Sequence, residues 1–326
     1  MGEPSKPLIK LAHKLFETER DRTAFIHALT YPLPFAPTIL WTRPQPTDLD
    51  WPTLEPLPWQ PPQVDRLAGD IRPGQHPRHD QGYYYCLDFS SVFAASLMQA
   101  IAKPIETAID LCAAPGGKSL FTWATLHPQR LFCNEVVRKR VKILIANLKR
   151  CGAMDAIVLN QDPAVLAAHL PHLAQLVLVD APCSGQSLLA KGQEVPGCFH
   201  KVTLNRNANR QKRILANAAQ LVQGGGYLLY STCTYAPEEN EQVCQWLLKR
   251  FSNFQAVPVN ALSSHQSTLA EFACYRLFPQ SGLGAGAFAA LFQKLDAPSD
   301  PQSPLAQDFL ARNQFVLYPS SSPSVS

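Results

Sequence analysis

The chain has 326 residues, of which 46% are hydrophobic and 17% are charged. This balance excludes a disordered or collagen-like chain, and at roughly 150 residues per domain the length predicts one large domain with a sizeable extension. The 29 Lys and Arg residues exceed the 25 Asp and Glu residues by a formal +4, a weak basic bias that permits contact with nucleic acid without demonstrating it.

The first 80 residues are expected to form a small, proline-rich N-terminal extension. Residues 8–29 carry apolar side chains at near-helical spacing, which predicts one amphipathic helix. Ten prolines between 31 and 63 fix the backbone so often that long helices and central strands are excluded there. Three tryptophans lie in the same stretch. We therefore expect an ordered cover over a core, with a direct substrate surface as the alternative.

The cysteine usage and the first 30 residues indicate a cytoplasmic protein. Nine cysteines, an odd number without a C-x-x-C pair, argue against a disulfide framework, a zinc knuckle or another metal site. The first 30 residues are charged throughout, so no signal peptide is expected. The sequence contains no window of about 18 uninterrupted apolar residues, so no membrane span is expected.

Residues 81–296 are expected to form the main domain, because short apolar runs alternate there with helical patterns. This is typical of an α/β fold with a mostly parallel twisted sheet and helices on both faces. Strands buried on both faces are predicted at 108–112, 130–135, 156–162, 174–180 and 226–232. Helices are predicted at 136–150, 163–172, 206–222 and 238–250, with a late strand at the sheet edge over 286–295. Residues 297–326 predict a loosely ordered tail.

Ligands of open α/β sheets lie beyond the carboxyl ends of the strands, and here those ends carry polar residues. The first strand runs into Asp110-Leu-Cys-Ala-Ala-Pro-Gly-Gly-Lys118, a glycine loop without the spacing of pyrophosphate or triphosphate loops. A plain glycine turn is the alternative. Glu135 ends the second strand at an offset suited to a carboxylate that accepts both hydroxyls of a ribose. Asp162 and Asp180 end the next two strands, so three successive carboxylates are expected over one cleft.

Two cysteines are expected at the same edge of the sheet. Cys183 lies in Asp180-Ala-Pro-Cys-Ser-Gly185 after the fourth strand, and Cys233 lies in Tyr230-Ser-Thr-Cys-Thr-Tyr235 at the end of the fifth. A lone cysteine is usually a buried apolar side chain. Both of these stand at strand-to-loop transitions, however, and Cys233 precedes a helix whose dipole would favour a thiolate.

Taken together in this order, the three motifs closely resemble the Sun/Nop (RsmB-like) family of RNA cytosine-5 methyltransferases, over roughly residues 80–295. The resemblance implies a Rossmann-like class I methyltransferase that uses S-adenosylmethionine. It implies that the glycine loop lies around the methionine end, Glu135 at the ribose, Asp162 at the adenine and Asp180 at the junction with the target base. The cofactor-binding residues are then Cys112, Ala113, Ala114, Pro115, Gly116, Gly117, Lys118, Glu135, Arg140, Asp162 and Asp180.

The chemistry of such enzymes explains why two cysteines are present. Carbon 5 of cytosine is a weak nucleophile, so a thiolate first adds to carbon 6. Spacing does not decide which cysteine attacks, since related DNA enzymes use the Pro-Cys residue. The resemblance to the RNA family favours Cys233 as nucleophile and Cys183 as the residue that aids release. It also implies that Asp180 hydrogen-bonds the base.

The partner implied is a ribosomal or transfer RNA with the target base unpaired or flipped, bound by a monomer. A basic run supports an RNA face, although a solvated helix face is the alternative; its members are Lys191, His200, Lys201, Arg206, Arg210, Lys212 and Arg213.

A competing hypothesis is an RNA-binding or scaffold protein that keeps the cofactor pocket without efficient turnover. Amino-group methylation would need an Asn/Asp-Pro-Pro-aromatic motif where this chain has Asp-Ala-Pro-Cys. The chain also departs from the family at Gln186-Ser187, where a glycine is common, and at Cys86-Leu87-Asp88.

Overall fold

A computed structural model describes residues 4–296 and 304–316 of the chain. Its N-terminal part begins with helices α1 (Lys6–Leu15) and α2 (Glu19–Thr30). The prediction of one continuous helix over 8–29 is therefore wrong. The chain turns extended after Leu15, and the side chain of Thr18 caps α2 by accepting a hydrogen bond of 3.1 Å from the backbone N–H of Asp21.

The proline-rich stretch contributes to a small antiparallel sheet. Its strands are β1 (Thr38–Trp41), β2 (Val64–Arg66) and β3 (Tyr84–Leu87), and β1 is the middle strand. The expectation that this stretch holds no central strand is wrong, because Thr-Ile-Leu-Trp is free of proline and has the β-branched and aromatic residues that favour strands. The indole N–H of Trp41 donates to Asp65 over 2.6 Å, which ties β1 to β2.

The main sheet is formed by the strands β4 (Thr107–Asp110), β5 (Arg130–Asn134), β6 (Ala156–Leu159), β7 (Ala174–Asp180), β8 (Val222–Thr232), β9 (Phe254–Ala256), β10 (Tyr275–Leu277), β11 (Ala287–Lys294) and β12 (Gln314–Val316). The strand order is β10-β11-β8-β7-β4-β5-β6-β12, and β9 pairs with β11. Strands β4 to β8 run parallel to their neighbours among themselves. The remaining helices are α3 (Pro77–Asp80), α4 (Phe89–Ser96), α5 (Gly117–Leu126), α6 (Arg138–Arg150), α7 (Pro163–His169), α8 (Lys201–Leu221), α9 (Glu241–Arg250) and α10 (Pro304–Asn313).

The helices lie on both faces of this sheet, which confirms the predicted fold class. One core contains Phe121 of α5 and Leu144 of α6, and the other contains Leu166 of α7, Leu215 of α8 and Leu247 of α9. Alternate residues of the parallel strands point into one core or the other, so the strands are apolar on both sides.

Two expectations about the end of the chain need correction. Strand β11 lies between β10 and β8, not at the sheet edge, because it is apolar along most of its length and can be covered on both faces. Residues 304–316, expected in a loose tail, form α10 and β12, and β12 pairs with β6. Residues 297–303 and 317–326 of that expected tail lie outside the described residues.

The N-terminal helices pack directly on the main domain. Leu8, Leu15 and Phe25 share an apolar cluster with Tyr235 and Ala285. The ring centroids of Phe25 and Tyr235 are 5.0 Å apart in an edge-to-face arrangement, and Tyr235 is the last residue of the motif that contains Cys233. The extension therefore supports the loop that presents Cys233.

Several features of composition can be checked against the described residues. All nine cysteines fall within them and are free thiols. Among the helices described, none combines the length and the apolar character needed to cross a membrane. No group of three or more His, Cys, Asp or Glu side chains in these ranges is arranged to hold a metal ion.

Candidate active site

A cleft opens at the carboxyl ends of β4 and β7, where the strand order reverses and where open α/β sheets bind ligands. It consists of two adjoining cavities of about 350 and 230 Å³ that share Cys112, Ala114 and Asp180. The larger cavity is lined by Glu135, Arg140, Asp162, Asp180, Cys183, Arg210, Arg213 and Cys233, among others. The smaller cavity is lined by Asp88, Asp110, Lys118 and Lys191 together with the glycine loop. Most of the residues singled out in the sequence thus meet in one place.

The two cysteines of the motifs lie side by side in the larger cavity. Strands β7 and β8 are neighbours, with Asp180 opposite Ser231, so the loops that follow them leave the sheet together. The Sγ atoms of Cys183 and Cys233 are 3.2 Å apart. Cys233 is exposed and Cys183 is half-buried. Both thiols therefore face the same space, with Cys233 more accessible to a reactant.

Their surroundings make the two thiols unequal. The pKa of Cys233 is lowered, chiefly because the Cys183 thiol donates a hydrogen bond to its sulfur. Burial and the negative charge of Asp180 raise this pKa, whereas the positive charge of Lys118 lowers it further. The pKa of Cys183 is raised well above its usual value by the same hydrogen bond and by burial. This arrangement favours ionisation of Cys233 while Cys183 keeps its proton.

An ion pair stands next to the thiols. The Lys118 ammonium lies 2.9 Å from Oδ2 of Asp180, while the Ser231 hydroxyl donates to Oδ1 over 2.9 Å. Burial alone would lower the pKa of Lys118, but Asp180 raises it overall. Lys118 belongs to the first turn of α5, which starts after Gly116 in a left-handed conformation (φ 118°). The glycine loop therefore delivers a permanent positive charge to Asp180.

Asp110 supports this loop from beneath. Its carboxylate is fully buried and accepts hydrogen bonds from the Ser119 hydroxyl over 2.7 Å and from the Cys112 N–H over 3.2 Å. Burial, with a further contribution from the charge of Asp180, raises the pKa of Asp110 to about 6, although the bond from Ser119 opposes the shift. Asp110 therefore fixes both ends of the turn between β4 and α5.

The far end of the larger cavity is lined by Glu135 and Asp162. Oε1 of Glu135 accepts from the Val137 N–H over 2.8 Å. Its Oε2 is buried and lies 3.0 Å from a guanidinium nitrogen of Arg140, but the alignment makes no hydrogen bond. Arg140 also donates to the carbonyl of Ala114 in the glycine loop. Asp162 is exposed and caps α7 by accepting from the Ala164 N–H over 2.9 Å. This buried carboxylate oxygen of Glu135 is therefore held by an ion pair and accepts no hydrogen bond.

One supporting residue was missed from the sequence. Glu239 is fully buried, and its Oε2 accepts from the Ser184 N–H over 3.0 Å and from the Gln211 amide over 2.8 Å. The same amide donates to the carbonyl of Pro182 over 3.1 Å. Glu239 and Gln211 therefore hold the loop of Cys183 from both sides. A signal in the sequence is the Pro-Glu-Glu-Asn-Glu run after Tyr235, but carboxylates at the start of a helix are also typical of helix initiation alone.

The departure at Gln186-Ser187 has a structural role. The Gln186 side chain is fully buried, donates to the carbonyl of Cys198 over 2.9 Å and accepts from the Tyr235 N–H over 3.0 Å. The Ser187 N–H donates to the carbonyl of Cys233 over 3.1 Å. A glycine at position 186 would lack these side-chain bonds. The two cysteine loops are thus connected to each other by the Gln186 side chain and the Ser187 backbone.

The basic run divides between three places. Arg210 and Arg213 line the larger cavity, and Lys191 pairs with Asp88 over 2.8 Å at the smaller one. Lys201 begins α8 at its opposite end and lines a separate groove. The expected single basic face is therefore only partly formed by these residues.

Comparison with known proteins connects this geometry to a family. A family model described as 16S rRNA methyltransferase RsmB/F matches residues 99–293. The chain is 33% identical over 256 residues to a ribosomal RNA small subunit methyltransferase F of Vibrio vulnificus (strain YJ016), a match that covers 76% of this chain and 54% of the relative. For the enzyme of that name in Serratia proteamaculans (strain 568), the identity is 31% over 253 residues, with 76% and 52% covered. The chain spans about half the length of these curated relatives.

Solved structures share the fold. A methyltransferase homolog protein from Pyrococcus horikoshii superposes with a TM-score of 0.69 at 22% identity, over 89% of this chain and 100% of that one. NSun6 from Pyrococcus horikoshii, determined with SFG, has a TM-score of 0.69 at 17% identity, over 90% and 99% of the two chains. At these identities the similarity establishes the architecture alone.

Proposed function

The chain belongs to the RsmB/F family of 16S rRNA methyltransferases, and from that premise we propose that it methylates carbon 5 of a cytosine in RNA with S-adenosylmethionine as donor. The observation that carries this proposal is the pair of thiols 3.2 Å apart beside the Lys118–Asp180 ion pair. A methyltransferase acting on an amino group or a hydroxyl has no use for a second thiol at this place.

The larger cavity suits the proposed donor. Oε2 of Glu135 is a buried acceptor without a hydrogen-bond donor, which is what a ribose hydroxyl would satisfy. Asp162 and the loop 112–118 extend the polar lining on either side, and Arg140 holds Glu135 and the loop together. S-adenosylmethionine supplies the electrophilic methyl group when bound.

In the proposed mechanism, Cys233 is the nucleophile. Its thiolate forms a sulfur–carbon bond at carbon 6 of the cytosine, and the displaced electron pair makes carbon 5 nucleophilic. Asp180 is the group we assign to hydrogen-bond the cytosine. Protonation of the cytosine N3 would neutralise the negative charge that develops on the ring as the thiolate adds. Lys118 balances the charge of Asp180 and helps to keep Cys233 ionised.

Cys183 is the residue we assign to release. After carbon 5 has taken the methyl group, its remaining proton must leave, the double bond re-forms, and the bond to Cys233 breaks with the thiolate as leaving group. Cys183 lies within hydrogen-bond distance of that sulfur, so its thiol proton can pass to the departing sulfur of Cys233, and the Cys183 thiolate formed in this way can accept the proton from carbon 5. Its raised pKa means that it starts the cycle as a thiol and not as a competing nucleophile.

The direct test is transfer of label from S-adenosylmethionine to cytosine in RNA. Cys233→Ala should abolish transfer, and Cys183→Ala should accumulate a covalent protein–RNA complex because release is blocked. Cys274→Ala, which removes a buried thiol that does not line the cleft, is the matched control and should remain active. An active Cys233→Ala with an inert, adduct-free Cys183→Ala would reverse the two roles. Tight donor binding without any turnover in the wild type would favour the scaffold hypothesis.

The substrate can be identified in cells. Small-subunit ribosomal RNA is the first RNA to test, because the curated relatives are named for it. Bisulfite sequencing of total RNA should show one or a few cytosines that lose methylation when the gene is deleted. Restoration by the wild-type gene and not by Cys233→Ala would assign the modification to this chain.

A further inference from the structure

A second groove, outside the cleft, lies between the N-terminal extension and the start of α8. Its volume is about 540 Å³, and it is lined by residues of α1, by Gln186, by Phe199 and by the first turns of α8. The proposed reaction uses none of these residues. The groove therefore needs its own explanation.

The groove is strongly basic for its size. Lys6, Lys10 and Lys14 follow one another at four-residue intervals along one side of α1, and Lys201 faces them from α8. Among the described residues that line the groove, Glu238 is the single carboxylate, and it pairs with Lys14 over 2.6 Å. Four lysines and one glutamate give the described residues that line this groove a formal charge of +3.

The spacing of the lysines matches an extended polyanion. Residues four apart on a helix are separated by about 6 Å along its axis, so the row presents ammonium groups at a regular interval. Successive phosphates of an unstacked single strand can follow such a row, whereas a compact anion would contact one lysine at a time. The first turn of α8 contains no acidic residue, and no side chain caps its N-terminus, which leaves the positive end of the helix uncompensated.

Apolar side chains lie among these charges. Phe199 is half-buried, and Pro7, Leu11 and Leu204 add to the apolar part of the lining. A groove that combines cations with an aromatic side chain is the arrangement by which proteins hold single-stranded nucleic acid, since phosphates meet the cations and bases stack on the ring. A purely acidic partner would leave this apolar surface unused.

The groove is connected to the reaction centre through one side chain. Gln186 lines the groove, three residues after Cys183, and it binds the N–H of Tyr235, two residues after Cys233. We propose that this groove binds the single-stranded RNA that flanks the target cytosine. The proposal rests on the proposed function and extends it by giving the N-terminal extension a substrate-binding role.

The test compares two double variants with equal charge change. Lys6→Glu/Lys10→Glu alters the groove, and Lys103→Glu/Arg130→Glu alters two exposed residues at the amino ends of β4 and β5, opposite the cleft. Binding of a short, cytosine-containing single-stranded RNA is measured by fluorescence anisotropy at several salt concentrations. The groove variant should bind at least tenfold more weakly. The slope of log affinity against log salt concentration should become shallower by about 1.4, because each of the two lost phosphate contacts contributes about 0.7. The control pair should change affinity less than twofold.

Additional variants and measurements distinguish RNA binding in the groove from the proposed methyltransferase activity. Lys6→Arg/Lys10→Arg should retain affinity, and S-adenosylmethionine binding should be unchanged in all variants, which excludes misfolding. If the wild type methylates RNA while the groove and control variants bind it equally well, the groove proposal is wrong and the enzymatic one stands. If the wild type binds no RNA, both are wrong. Equal weakening of a duplex of the same sequence would contradict a single-strand site.

Discussion

The two thiols of the cleft differ chiefly because of the hydrogen bond between them, which lowers the pKa of Cys233 and raises that of Cys183. Asp180 raises the pKa of Cys233, while Lys118 and the hydrogen bond from Cys183 lower it. The Lys118–Asp180 ion pair therefore has two effects, since it cancels the repulsion of Asp180 and leaves the carboxylate in place for the base. Removing only the lysine would separate these effects.

Lys118→Met should make Cys233 a weaker nucleophile at neutral pH. Without the ammonium, the pKa of Cys233 rises because Asp180 is no longer balanced, and the thiolate fraction at a given pH falls. The rate of Cys233 alkylation by iodoacetamide, followed by peptide mass spectrometry, should reach half its maximum at a higher pH than in the wild type. Lys191→Met is the control, because its ammonium pairs with Asp88. A similar shift in both variants would show that Lys118 has no specific effect.

At the level of elements, the sequence predicts the parallel strands because each is a short apolar run whose position requires little tertiary information. It also places Cys183 and Cys233 at one edge, since neighbouring parallel strands end together. The break at Thr18 was predictable in principle from a Thr with an Asp three residues later, a helix-start signal that the apolar periodicity obscured. The position of β11 and the contacts of Glu239 and Gln211 depend on long-range packing, which no local pattern contains.

Phe25→Ala tests whether α2 is part of the folded core. Phe25 is fully buried against Tyr235 and Phe278, so truncation should leave a cavity and lower the free energy of unfolding by about 3–5 kcal/mol. Leu33, whose relative exposure is 75%, provides the matched control. Leu33→Ala should change the free energy of unfolding by less than about 0.5 kcal/mol. Urea unfolding followed by tryptophan fluorescence measures both. A Phe25→Ala protein as stable as the control would mean that the extension is only loosely attached.

For the whole molecule, the cleft and the basic groove lie on two sides of the loop that carries Cys183 and Gln186. The loops after the main-sheet strands carry the side chains of the proposed reaction, and the N-terminal helices cover Tyr235 and contribute the lysine row. The chain, which spans about half the length of the curated relatives it matches, would thus combine the proposed reaction centre with a surface suited to the substrate strand. The donor pocket should in turn be coupled to the stability of the entire fold, since a ligand that binds only the folded state stabilises it by mass action.

S-adenosylmethionine should raise the unfolding temperature of the wild type, and Glu135→Ala should reduce that rise. At a concentration one hundred times its dissociation constant, a ligand contributes about 2.7 kcal/mol, which corresponds to several degrees. Loss of the Glu135 carboxylate removes an acceptor that receives no hydrogen bond from the protein and releases Arg140 from its ion pair, so the donor binds more weakly. Differential scanning fluorimetry with and without S-adenosylmethionine compares each variant with its own ligand-free state, which cancels any intrinsic loss of stability. Glu106→Ala, an exposed carboxylate before β4 at the opposite edge of the sheet, should retain the full rise. An equal rise in Glu135→Ala and Glu106→Ala would place the donor elsewhere in the cleft.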